Sequence, residues 1–97
     1  MLHLIYQSAI DNALLQRISS LDSVVFLENA IFQINKNGTL NPELEQMLNN
    51  RINFYVLDVE LETRGVNIAE LVEGVKVINY QGFVELTENS KVIKTWN

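Results

Sequence analysis

Short apolar blocks recur along the chain, and between them apolar residues return every three or four positions. Four blocks, LHLIY (2–6), SVVFL (23–27), NFYVL (53–57) and VKVIN (75–79), are rich in β-branched or aromatic side chains and bounded by polar residues. Runs of this kind predict strands buried on both faces. A fifth, KVIKTW (91–96), mixes polar and apolar positions and predicts an edge strand.

The stretches between them carry helical spacing. Ser8 and Asp11 stand three apart, as in a capping box, and Leu14, Leu15, Ile18 and Leu21 then share one helical face. Asn41 followed by Pro42 predicts an N-cap with proline at the first helical position. Leu44, Met47 and Leu48 follow, and Asn49–Asn50 ends that helix. Residues 58–64 predict a short helix closed by Gly65. Residues 67–74 predict another turn or two, with Ile68, Leu71 and Val72 inward and Gly74 as the stop, and 80–89 predict a last helix. ENAIF after the second run and NKNGT (35–39) read as loops. Strands alternating with helices specify an α/β fold: a small three-layer αβα domain around a mostly parallel, about five-stranded sheet. The 97 residues make one domain, 1–97.

Composition narrows the function. The hydrophobic fraction of 47% and charged fraction of 20% are those of a folded domain. The net charge of −5 leaves no basic surface to neutralise phosphates, so no direct nucleic-acid partner is expected. The chain has no cysteine, which excludes disulfides, thiolate metal sites and cysteine nucleophiles. No apolar run reaches the roughly 18 residues of a membrane span, and MLHLIY lacks the basic start of a signal peptide. No membrane association is expected, and the cytoplasm is the expected compartment.

The densest candidate chemistry is FYVLDVELETRG (54–65), an apolar strand running into Asp58, Glu60 and Glu62. Carboxylates at a strand's carboxyl end can serve as acid and base. They equally suit the first turn of a helix, where each contributes roughly 0.3–1 kcal/mol. Glu60 and Arg64 add an i,i+4 pair, whereas Glu60 and Glu62 do not meet on a helix. The helix-start reading accounts for every residue and is preferred to a hydrolase using Asp58 and Glu60. His3, the only histidine, reads as packed or edge-hydrogen-bonded, because one imidazole makes no metal site. The loops QSAID and ENAIF hold no glycine and build no phosphate cradle. No catalytic residue, cofactor or metal is therefore expected. An alternative is a small-ligand or nucleotide-binding domain acting as a homo-oligomer, with its pocket near Gln7, Glu28 and Asp58. Tyr80, Phe83 and Trp96 are large aromatics in the C-terminal part that read either as core or as the kind that marks a protein interface, core being preferred for Phe83 and neither for Trp96.

Four segments resemble the TusB/DsrH family: MLHLIYQS at the start, FLENAI at the end of the second run, FYVLDVELETRGV, and VINYQGFVELTENSKVIKTW at the end. Glu60 stands where the family usually has Asp, Thr63 where it has Ala, and Gly82 where it has Asp. The resemblance implies a DsrEFH-like fold and a non-catalytic subunit of a TusBCD-like sulfurtransferase complex. Such a complex relays persulfide sulfur for 2-thiolation of the tRNA wobble uridine. The implied partners are TusC-like and TusD-like subunits in a dimer of heterotrimers (a heterohexamer), with the sulfur-carrying cysteine on the TusD-like chain. A homo-oligomer is the expectation when the partners are absent. The family motifs, read as interface candidates, fall on Glu60, Leu61, Arg64, Gly65, Tyr80, Phe83 and Trp96.

Overall fold

A computed structural model describes residues 1–97. Five parallel strands, β1 (Leu2–Ile5), β2 (Ser23–Phe26), β3 (Asn53–Leu57), β4 (Lys76–Ile78) and β5 (Ile93–Trp96), form one sheet in the order β4-β3-β2-β1-β5. The α-helices are α1 (Asn12–Leu15), α2 (Asn41–Asn49), α3 (Asp58–Arg64) and α4 (Tyr80–Glu88), joined by 3₁₀ helices at Glu28–Ile34 and Ile68–Glu70.

Strand order sets which face each helix covers. From β1 to β4 the chain steps along the sheet in one direction, so right-handed crossovers place all three connections on the same face. The last connection runs back past β1 to β5, and the same handedness puts α4 on the opposite face. The core is correspondingly lopsided. Eighteen buried residues, among them Ile5, Phe26, Ile31, Leu44, Phe54 and Leu61, form the main cluster. Four others, Leu2, Val25, Leu27 and Leu57, form a second one against Phe83 and Leu86 of α4. In the main cluster Phe26 and Phe54 meet edge to face with centroids 5.1 Å apart, a geometry worth about 0.5–1.5 kcal/mol beyond area burial.

The strands and α3 fall where the hydrophobic pattern puts them; several details differ. β4 is not buried on both faces: Lys76 and Val77 are exposed because the strand lies at a sheet edge. α1 is capped by Asp11 alone, whose carboxylate accepts the Leu14 N–H at 2.9 Å, without Ser8. The helix also stops early. Asp22 captures the Ser19 N–H at 2.9 Å, and the resulting turn holds Leu21 at φ 74°, 71% exposed instead of sharing a face with Ile18. In α2 the cap position belongs to Leu40, since the Leu44 N–H already reaches the Leu40 carbonyl; Asn41 is the first helical residue. The ENAIF stretch is no loop: it opens the 3₁₀ helix that buries Ala30, Ile31 and Ile34. Residues 67–74 make a single 3₁₀ turn inside an Asn67–Glu70 capping box, which leaves Ile68 exposed while Leu71 and Val72 are buried.

Candidate functional site

The family-motif residues occupy three separate places. Glu60, Leu61, Arg64 and Gly65 belong to α3, which starts where β3 ends. Leu61 packs into the main core. Glu60 accepts from the Arg64 guanidinium one turn on, and Gly65 ends the helix at φ 63°. Tyr80 and Phe83 lie on α4 across the sheet; Tyr80 is exposed, whereas Phe83 is half-buried against the second cluster. Trp96 lies on β5, separated from β3 by β2 and β1, or roughly 14 Å at ordinary strand spacing. These residues do not converge on one centre.

The acidic stretch resolves into structural roles. The Asp58 carboxylate accepts the Val59 N–H at 2.7 Å and Glu60 is taken up by Arg64, so neither faces the other as an acid–base pair. No three His, Cys, Asp or Glu side chains gather as metal ligands. Gln7, Glu28 and Asp58 do not share the largest hollow. That hollow, about 500 Å³, lies between α2 and residues 68–75 and is bordered by Lys36, Asn41, Glu45 and Glu73.

The one buried polar assembly escaped the reading of the sequence. His3 and Asp22 are the only buried polar or charged residues. Imidazole Nε2 lies 2.9 Å from Asp22 Oδ2, and Trp96 donates its indole N–H to His3 Nδ1 at 3.1 Å. An indole nitrogen only donates, so Nδ1 is the acceptor and the neutral ring carries its proton on Nε2, which donates to Asp22. The two rings lie 19° from parallel with centroids 6.2 Å apart. Asp22 also accepts from the Ser19 N–H at 2.9 Å and from the Met1 amino group at 3.1 Å. Burial works against ionisation of Asp22. The hydrogen bonds from Ser19, His3 and the amino terminus, with the charge of that ammonium, outweigh it and hold the carboxyl below its ordinary value. The assembly therefore clips β5 to β1 and to the turn before β2. Chemically it is closed: each His3 nitrogen has a partner and the ring is 1% exposed. The only signal in the sequence was a histidine inside an apolar run and an aspartate just before another; their pairing depends on strand register.

A family model described as DsrH like protein matches residues 6–93. The chain belongs to the DsrH family. Protein TusB of Yersinia enterocolitica is 28% identical over 85 residues, covering 88% of this chain and 85% of that one. Protein TusB of Buchnera aphidicola subsp. Baizongia pistaciae is 29% identical over 99 residues, covering 99% and 100%. Among solved structures, a protein of unknown function from Methanobacterium thermoautotrophicum superposes with a TM-score of 0.78 at 14% identity, over 97% and 95% of the two chains. The ychN protein from E. coli does so with a TM-score of 0.77 at 12% identity, over 98% and 97%. Both likenesses concern the fold. This DsrH-family chain therefore has the five-stranded parallel α/β frame, with the LETRGV segment closing the helix that follows its third strand.

Proposed function

We propose that the chain is a non-catalytic subunit of a TusBCD-like sulfurtransferase complex, which passes persulfide sulfur along a relay for 2-thiolation of the tRNA wobble uridine. One observation carries this reading: a chain matched over residues 6–93 to the DsrH family contains no cysteine to hold sulfur. The near-full-length likeness to two TusB proteins supports the tRNA branch. On this reading the sulfur-carrying cysteine belongs to a TusD-like partner and a TusC-like chain completes each trimer. The assembly works in the cytoplasm, and this chain shapes and holds it. Isolated from its partners, it forms at most a homo-oligomer.

The reading is tested by reconstituting the relay from purified subunits and following labelled sulfur from the partner's cysteine to its acceptor. Transfer is expected to fall to background when this chain is omitted. It is expected to persist with His3→Ala at a temperature where that variant remains folded, because His3 is a structural clip. Full-rate transfer by the partner pair alone would overturn the proposal.

A further inference from the structure

The free edge of β5 carries an unusual arrangement of charge. The Lys94 ammonium lies 5.0 Å from the centroid of the Trp96 ring and the Arg17 guanidinium 5.8 Å from it. Neither cation has a carboxylate within ion-pair distance, in a chain with 12 acids and 7 bases. Two like charges within 6 Å of one ring, neither in an ion pair, make this edge locally positive in an acidic chain and complementary to a carboxylate. Beside them is a hollow of about 210 Å³ bordered by Gln7, Asp11, Leu14, Arg17 and Trp96. Its one carboxylate, Asp11, is engaged as the cap of α1. The hollow is smaller than the roughly 300–1,000 Å³ of small-molecule sites, so it suits one side chain and not a free cofactor. It lies at the carboxyl ends of β1 and β5, where the strand order reverses, the place at which open parallel sheets bind their ligands.

The strand beside the hollow is open to pairing. β5 bonds only to β1, so its other edge is unpaired. Val92 and Ile93 are 53% and 43% exposed along it, and Lys91 and Lys94 flank them. Lysines on an edge disfavour pairing of the strand with its own copy, and by the same charge they favour an acidic strand.

We propose that β5 is a docking edge for an acidic, extended segment of a partner protein. The segment adds a sixth strand and places a carboxylate between Arg17 and Lys94 beside Trp96. This inference rests on charge and strand pairing at the edge and does not depend on the relay reading.

Trp96 is the only tryptophan, so its emission reports directly on the site. The full chain is titrated with an eight-residue peptide of alternating Glu and Val, with a Gln–Val peptide of the same length, and with inorganic phosphate. Saturable change in Trp96 emission is expected with the Glu–Val peptide, together with slower amide exchange along β5. Binding is expected to weaken roughly tenfold or more in R17Q/K94Q, as loss of charge-assisted bonds implies. The charge-reversed R17E/K94E is expected to prefer a Lys–Val peptide, a gain that misfolding does not produce. Equal binding of the Gln–Val peptide, or undiminished binding to R17Q/K94Q, would overturn the proposal. So would phosphate competing as tightly as the peptide binds, which would make this a free-anion site and not a docking edge.

Discussion

Asp22, His3 and Trp96 join residues distant in sequence: His3 and Asp22 are 19 apart, and His3 and Trp96 are 93 apart. Their bonds tie β5 into the sheet. Replacing Trp96 with Phe keeps a ring on the core but strips the donor from His3 Nδ1. A buried acceptor left unpaired costs about 1–3 kcal/mol, so W96F is expected to lower the urea midpoint by a corresponding amount without changing the slope. Asp22 makes a second prediction, read through pH. Its folded-state value is depressed, so its contribution is complete above the unfolded value of about 3.9 and is lost as pH falls through the folded one. Denaturation of the wild type is expected to ease more steeply below about pH 4 than that of D22N. The gap between the two, widest near neutrality, narrows in acid. Equal pH slopes would show that Asp22 does not carry this stability. None of these partnerships was legible in the sequence, because they depend on which strand lies beside which. His3 and Trp96 were each legible only as a packed residue and an aromatic near the end.

The elements themselves were mostly legible where a local rule dictates them. α3 is the clearest case: acids in the first turn, Arg64 in the last, and Gly65 in the left-handed conformation beyond it. A Cβ at Gly65 would meet nothing within 4 Å, so the cost of Gly65→Ala is purely conformational. It is expected to destabilise the chain by about 1–2 kcal/mol in equilibrium denaturation, and Gly65→Asn by less. α4 was legible from its apolar spacing, and its start is fixed by Asn79, whose side chain accepts the Gly82 N–H at 2.8 Å. Asn79→Ala is expected to cost about 1 kcal/mol. Because α4 alone covers its face, exchange of amides in β1 and β2 should rise with that substitution if the helix holds that face closed. Where a rule was overridden, a long-range bond or a short element was the cause. Asp22 ended α1 early, and the 3₁₀ helix at Glu28–Ile34 lacks the 3.6-residue period that marks a helix in sequence. Leu40 takes the cap that the Asn41–Pro42 pattern assigns to Asn41, and the Asn41 side-chain oxygen is buried without a partner.

At the scale of the whole molecule, one strand order explains both the lopsided core and the open edges. Four forward connections would have left β1 at an edge; the return of the chain past it makes β1 interior, with β5 outermost. The Asp58 and Glu60 carboxylates are taken up within α3. Tyr80 and Val59 stand exposed near the carboxyl ends of the strands, and Val92 and Ile93 along β5. The parallel sheet was legible from the alternation of strand and helix patterns. Strand order and the separation of the family-motif residues onto α3, α4 and β5 were not, because no local pattern records which strands are neighbours. The most direct test of the central claim is to recover the tagged chain from its own cells under native conditions and weigh the assembly by mass spectrometry. The account predicts a dimer of heterotrimers with two small α/β partners, one of them bearing a reactive cysteine. Recovery of the chain alone, or only as a homo-oligomer, would contradict it.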